Sequence, residues 1–237
     1  MLILAIDTSG QSGGITLAEA DAGSFRVIES AAIAGGTFSA QLIPTLAALL
    51  KKHGYGVNDI GGFAAASGPG SFTGLRVGLS AIKGLAEILH KPVATVSVLE
   101  ALASLADRDG KIAAAMDARR KEVFLGVYQK DGDASAQRSP QSDHALIMQT
   151  EQLLTQQDFL ATLVTEQPAV IITGDPALAE LAAKSHSAVA LVTAPGSEVI
   201  ARIGAAKLLA GETVSVEALD ANYLRRSDAE IFFKGNR

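Results

Sequence analysis

The chain has 237 residues, of which 48% are hydrophobic and 19% are charged, and its formal net charge is −5. This length allows one large or two small domains with a substantial core, and the composition is not that of a disordered chain. The absence of cysteine excludes disulfides, thiolate metal sites and cysteine nucleophiles. No apolar run approaches the roughly 20 residues of a membrane span, and the apolar start lacks the basic residues of a signal peptide. We therefore expect a cytoplasmic protein without membrane contact.

Hydrophobic patterns predict strands and helices in alternation along the chain. Predicted strands cover residues 2–6, 14–19, 25–33, 60–66, 93–96, 111–116, 122–129, 169–173 and 189–192. Predicted helices cover residues 39–53, about 74–90, 97–106, 151–164, 177–184 and 198–209. This order is typical of α/β folds in which helices cover sheets.

A weak internal repeat divides the chain into two halves. Asp7 and Asp117 each end an apolar strand, and each is followed by a second strand and a glycine-containing turn. We therefore predict two related α/β domains, at residues 1–106 and 107–237, with the last helix and tail able to pack back on the first domain.

Two loops of the first half carry residue types suited to phosphate or Mg²⁺. One follows the first strand, and the other is rich in glycine and leads into a helix N-terminus, where free N–H groups favour an anion. No Gly-Lys-Ser/Thr sequence closes the second loop, so it is not a Walker A motif. The alternative is that its glycines serve close packing against the sheet, and the sequence leaves both open. The candidate phosphate-loop residues are Asp7, Thr8, Ser9, Gly68, Gly70 and Ser71.

The helix after the glycine-rich loop is apolar over about 200° of its circumference, about twice what packing on one sheet requires. Two adjacent apolar stripes run along it, and the preceding long helix is also broadly apolar. This favours a helix-mediated protein interface, and the alternative is an internal helix pair. The candidate interface residues are Leu42, Leu46, Leu75, Val77, Gly78, Leu79, Ala81, Ile82 and Leu85.

Four segments together resemble one protein family. They are residues 5–9 (AIDTS), 68–78 (GPGSFTGLRVG), 116–123 (MDARRKEV) and 223–225 (YLR). The sequence is similar in these segments to the TsaB (YeaZ) family of tRNA threonylcarbamoyladenosine biosynthesis, and the resemblance extends from residue 1 to about residue 230.

The resemblance implies two α/β domains of the actin/sugar-kinase/heat-shock-ATPase (ASKHA) superfold that face a cleft. It also implies a subunit without catalytic residues, because the two metal-binding histidines of the paralogous enzyme TsaD correspond here to Val98 and Leu102. Aliphatic side chains cannot bind a metal. We expect no metal and no required cofactor, with weak nucleotide binding compatible with the superfold.

The same resemblance implies the partners. Family members pair with TsaD through their first two long helices, and the ATPase TsaE joins a complex that transfers threonylcarbamoyl to adenosine 37 of tRNAs reading ANN codons. We expect a homodimer when TsaD is absent, and only indirect or weak contact with tRNA. Where the family usually has His-Ser before its first long helix, this chain has Phe38-Ser39, and Ser39 is expected to cap the helix.

Two functions of other classes remain as alternatives. A nucleotide-dependent kinase of the same superfold would need glycines after Asp117 and a glycine-rich turn around Gly174, and the sequence has neither. A metallopeptidase would hold zinc or iron in stoichiometric amount.

Overall fold

The computed structural model describes residues 1–130, 146–185, 188–222 and 224. Within this part the chain forms two five-stranded sheets and six α-helices. The first sheet contains β1 (Leu2–Asp7), β2 (Ser12–Ala20), β3 (Phe25–Ala34), β4 (Ile60–Gly68) and β5 (Val93–Ser97). The second contains β6 (Gly110–Asp117), β7 (Glu122–Lys130), β8 (Leu146–Thr155), β9 (Val170–Thr173) and β10 (Val189–Leu191). The helices are α1 (Phe38–Lys52), α2 (Phe72–Leu89), α3 (Val98–Ala103), α4 (Gln156–Glu166), α5 (Pro176–Ala182) and α6 (Ser197–Ala210), and a short 3₁₀ helix spans Val57–Asp59.

The two sheets have the same topology. The first has the strand order β3-β2-β1-β4-β5, and the second reads β8-β7-β6-β9-β10 from its equivalent edge. In each sheet the first three strands form an antiparallel meander, and the last two strands run parallel to the first strand. The predicted α/β class and the internal repeat are confirmed.

One predicted element is wrong at its start. The sequence predicted a helix over residues 151–164, but β8 continues to Thr155 and α4 begins only at Gln156. Glutamate, glutamine and leucine at residues 151–154 favour a helix in isolation, and pairing with β7 overrides that preference. Thr155 then caps α4, because its Oγ1 accepts a hydrogen bond from the Asp158 N–H at 3.1 Å.

Helices cover both faces of the first sheet. Along β1, Leu4 and Ile6 belong to the core beneath α1 and α2, whereas Ile3 and Ala5 belong to the core beneath α6. Because α6 follows the second sheet in the chain, the chain returns to the first sheet after completing the second. In the opposite direction, α3 follows the first sheet and packs on β6 and β7. These two helices tie the halves of the molecule together.

The start of α1 differs from the expected one. The helix begins at Phe38, so the N-cap position belongs to Thr37 and not to Ser39, and no side chain caps the first turn. The Thr37 hydroxyl instead donates to the Ala34 carbonyl at 2.6 Å. Phe38, which replaces the expected histidine, is buried in the core between α1 and the first sheet.

Candidate functional site

The carboxylate of Asp7 is turned into the protein. Its Oδ1 accepts hydrogen bonds from the Ser9 backbone N–H at 2.9 Å and from the Ser9 hydroxyl at 2.7 Å. Burial raises the pKa of Asp7 above its ordinary value of 3.8, and the two hydrogen bonds from Ser9 lower it by less. Asp7 therefore acts as an internal acceptor that organises its own loop.

The β1–β2 loop and the glycine-rich loop bind each other directly. The Ser71 N–H donates to the Ser9 carbonyl at 2.6 Å, and the Thr8 hydroxyl donates to the Gly74 carbonyl at 2.7 Å. Ser71 is the N-cap of α2, and its Oγ accepts from the Gly74 N–H at 3.2 Å. The Ser71 N–H, the Thr8 hydroxyl and the Gly74 N–H, three donors that an anion could use, are therefore engaged within and between the two loops.

The glycines of the second loop are required by this close approach. An added Cβ at Gly70 would overlap the Ser9 carbonyl oxygen, and one at Gly74 would overlap the Thr8 carbonyl oxygen. One turn later, a Cβ at Gly78 would overlap the Thr8 hydroxyl oxygen. These overlaps favour the packing explanation of the motif over a phosphate-binding one.

A cleft of about 1150 Å³ lies between the two domains, next to these loops. Three of the six candidate phosphate-loop residues, Ser9, Gly70 and Ser71, line it. The other three, Asp7, Thr8 and Gly68, are buried in the protein. The remaining lining is largely apolar. It includes Phe38, Phe72, Leu75, Val77, Met116, Phe124 and Leu224.

The opposite wall of the cleft is the turn between β6 and β7. Asp117 Oδ1 accepts from the Arg119 N–H at 2.9 Å, and Arg119 and Arg120 both line the cleft. Arg119, Arg120 and Lys121 all have positive φ, at 63°, 55° and 61°. Such a run is costly for side chains other than glycine, and nothing in the sequence indicated it.

The predicted partner interface needs correction. Within the described chain, six of the nine candidate residues are buried in the protein's own core because α1 and α2 pack on the first sheet and on each other. A charge placed at Leu79 or Ile82 would therefore enter the core and destabilise the fold. The buried six are Leu42, Leu46, Leu75, Gly78, Leu79 and Ile82.

The other apolar stripe of α2 is the accessible one. Val77, Ala81 and Leu85 are half-buried along it, and Ile88 at its end has 77% of its surface exposed. On the neighbouring α1, Ile43 is 51% exposed. Ile43 and Ile88 were not among the nine candidates, although Ile88 continues the helical spacing of Val77, Ala81 and Leu85.

Comparison with known proteins identifies the family. A family model described as TsaD, tRNA N6-adenosine threonylcarbamoyltransferase, matches residues 31–231. The chain is 30% identical to the tRNA threonylcarbamoyladenosine biosynthesis protein TsaB of Bacillus subtilis, over 97% of this chain and 96% of that protein. The chain belongs to the TsaB (YeaZ) family. Among solved structures, YeaZ from Pseudomonas aeruginosa has a TM-score of 0.70 at 25% identity and covers 93% of this chain and 100% of that one.

A second solved structure supports the same assignment. It is described as an uncharacterized protein with similarity to peptidase YEAZ from Pseudomonas aeruginosa, and it has a TM-score of 0.73 at 26% identity, covering 94% of this chain and 99% of that one. With the repeated sheet topology, these TsaB-family matches confirm the ASKHA-type fold of two α/β domains.

Val98 and Leu102, which the family resemblance aligns with the TsaD histidines, are both buried in apolar cores. Among the residues that the structure describes, no three histidine, aspartate or glutamate side chains are grouped as a metal site. None of the helices in the same part of the chain is long and apolar enough to cross a membrane. Of the family segment at residues 223–225, only Leu224 lies within the described residues.

Proposed function

We propose that this TsaB-family chain is a non-catalytic, activating subunit in tRNA threonylcarbamoyladenosine biosynthesis. In this proposal it binds TsaD in the cytoplasm through α1 and α2, and TsaE joins the pair. The complex transfers threonylcarbamoyl to adenosine 37 of tRNAs reading ANN codons. Membership of the family supports the pathway, since curated relatives of Bacillus subtilis and Escherichia coli carry the name tRNA threonylcarbamoyladenosine biosynthesis protein TsaB.

The accessible stripe of α2 is the observation that carries the partner assignment. Leu85 and Ile88 end an apolar row that the chain's own core does not cover completely. Gly84 lies beside them on the exposed side, and an added Cβ there would meet no atom within 4 Å. Unlike Gly74 and Gly78, Gly84 therefore has no packing role in the isolated chain, although glycine inside a helix costs about 1 kcal/mol relative to alanine. Close approach of a second backbone would explain its presence.

The outer face of α1 extends this surface without charge. Ala40, Ile43, Pro44 and Ala47 are exposed, and the segment at residues 39–50 contains no charged residue. Depletion of charge around apolar side chains is characteristic of the centre of protein interfaces. We propose that the same surface forms a homodimer when TsaD is absent.

The loops support a subunit without chemistry of its own. Asp7 is buried against Ser9, and the glycine-rich loop is filled by Thr8 and Ser9, so the parts that would bind a phosphate serve packing. The proposal needs no cofactor. It leaves the cleft open to weak nucleotide binding near Ser71, and it assigns most tRNA contacts to the partners.

The test is binding to TsaD after a charge is placed on the accessible stripe. Ile88→Asp and Leu85→Asp are expected to weaken binding at least about 30-fold, which is the effect of losing an interface hot spot. Val164→Asp is the matched control, because Val164 is an apolar residue that is 60% exposed on α4, in the other domain. Circular dichroism should confirm that all three variants fold.

Modification of tRNA in a mixture of TsaD, TsaE, ATP and the threonylcarbamoyl donor provides the second readout. Modification should depend on this chain, fail with Ile88→Asp and persist with Val164→Asp. Normal TsaD binding by both stripe variants would exclude this surface, and modification without the chain would exclude the activating role.

A further inference from the structure

The segment that follows α6 runs across the first domain and ends at the boundary between the two. We call residues 214–222 the strap. At its start Val214 donates its N–H to the Val93 carbonyl at 2.9 Å, beside the edge of the first sheet. Leu219 and Ala221 are buried in the core beneath α1 and α2. The strap ends where the Asn222 N–H donates to the Ser67 carbonyl of β4 at 2.7 Å.

One carboxylate joins the end of the strap to both sheets. Glu151 lies on β8 of the second sheet, and its Oε1 accepts hydrogen bonds from the hydroxyls of Ser97 and Tyr128. Its Oε2 accepts from the Asn222 side-chain N–H at 2.7 Å. Ser97 ends β5 of the first sheet, and Tyr128 belongs to β7 of the second. Three separate parts of the chain therefore donate to Glu151.

The chemistry of the junction fixes the direction of each hydrogen bond. An ionised carboxylate can only accept, so Asn222 must present its amide nitrogen. Burial, reinforced by the charge of Glu151, raises the pKa of Tyr128 above its usual range, so its hydroxyl stays protonated and donates. Hydrogen bonds to a charged group are stronger than those between neutral groups.

The surroundings of Glu151 are built for close contact. Glu151 pairs across the sheet with Gly126 on β7, where an added Cβ would lie 2.7 Å from the Tyr128 ring and 3.1 Å from Leu99 of α3. The glycine thus allows the Tyr128 ring and α3 to lie against the sheet beside the carboxylate. Asn222 and Leu224 also line the cleft, so the junction lies at its wall.

We infer that Glu151 is a latch that holds the two domains and the strap at one fixed cleft opening. Its carboxylate connects the first sheet through Ser97, the second through Tyr128 and the strap through Asn222. Breaking the latch should allow the domains to move relative to each other and release the end of the strap. This inference concerns the isolated chain and does not depend on the proposed partner.

The experiment measures the distance between the domains in the full-length chain. Because the chain has no cysteine, Val57→Cys in the first domain and Val164→Cys in the second provide two exclusive sites for spin labels. Pulsed electron paramagnetic resonance should give one narrow distance distribution. Glu151→Ala and Asn222→Ala should each widen it, and Asn222→Ala tests the latch even if Glu151→Ala does not fold.

A matched control separates the latch from a general loss of surface charge. Glu166→Ala removes an ion pair with Lys111, at 2.7 Å, within the second domain alone, and it should leave the distribution narrow. Hydrogen exchange provides a second readout, since the amides of residues 214 and 222 should exchange roughly ten- to a hundredfold faster in the latch variants, as expected for one lost charged hydrogen bond.

Two outcomes would overturn the inference. One is an unchanged distance distribution in both latch variants, even if they unfold at a lower temperature, because Glu151 would then contribute stability alone. The other is equal widening in Glu166→Ala, since any lost ion pair would then loosen the molecule.

Discussion

Asp7 and Asp117 end equivalent strands of the two sheets, yet Asp7 is buried and Asp117 is accessible to solvent. Asp7, Thr8 and Ser9 are buried against the glycine-rich loop and the start of α2, which donate to and accept from them. The Asp117 turn is accessible at the cleft wall, and the Asp117 side chain is 32% exposed beside Arg119. The same topology thus produces one closed loop and one open turn.

The difference lies in the helix that follows the fourth strand of each domain. In the first domain this helix is α2, with 18 residues, and it is preceded by the glycines that admit Thr8 and Ser9. In the second it is α5, with 7 residues, and Gly174 before it would have room for a Cβ, 3.6 Å from Ala194. Gly70 and Gly74 therefore mark where two loops interlock, and the interlocked pair has little capacity left for a ligand.

Gly74→Ala tests whether the two loops of the first domain interlock, and it should cause the largest loss of stability. The new methyl group would overlap the Thr8 carbonyl oxygen, which is backbone and cannot move away easily. We expect a loss of about 3 kcal/mol in the free energy of unfolding, measured by chemical denaturation. Gly174→Ala is the matched control in the second domain and should change stability by less than about 1 kcal/mol. Equal stability of the two variants would show that the loops of the first domain do not interlock.

The sequence was sufficient to predict the strands that precede these loops, but not whether the loops bind a phosphate or pack against each other. Apolar runs ending at Asp7 and Asp117 predicted the two central strands and hence the repeat. The same sequence could not decide between phosphate binding and packing for the glycines. That choice depends on whether Thr8 fills the space, which is a tertiary contact with no local pattern.

Helical periodicity failed in a similar way for the partner surface. It identified two apolar stripes on α2 but could not determine which of them the first sheet would cover. The sheet covers the stripe that contains Leu79 and Ile82, and leaves the one ending at Ile88. Likewise the end of β8 was predicted as a helix, because local propensity takes no account of pairing with another strand.

Asp7→Asn tests the closed loop through pH. Burial raises the pKa of Asp7, so the folded chain holds this proton more tightly than the unfolded chain. That stabilising effect is complete below the unfolded value of 3.8 and is lost as pH rises through the folded pKa. Asparagine does not titrate, and its oxygen can still accept both hydrogen bonds from Ser9. Asp7→Asn should therefore raise Tm at pH 7.

The gain from Asp7→Asn should shrink as the pH is lowered toward 4, when Asp7 itself becomes neutral. Thermal unfolding of parent and variant across this range is the measurement. Asp117→Asn, on the open turn, is the control and should not reproduce the neutral-pH gain in Tm. A lower Tm for Asp7→Asn at pH 7 would contradict this prediction. It would mean that the Ser9 hydrogen bonds stabilise the ionised carboxylate by more than burial destabilises it.

Lys121→Gly tests the open turn of the second domain, and it should produce the smallest of the three changes in stability. Lys121 has a φ of 61°, a left-handed conformation that costs about 1–2 kcal/mol for a residue with a Cβ and little for glycine. Glycine also gives the unfolded chain more freedom, which offsets about 0.5–1 kcal/mol of the gain. We expect a net stabilisation of about 0.5 kcal/mol by chemical denaturation. Lys121→Ala removes the same charge but keeps a Cβ on the left-handed backbone, so it should not stabilise the protein. Equal stabilisation by both variants would mean that the lost charge causes the effect and that the left-handed conformation of Lys121 has no energetic cost.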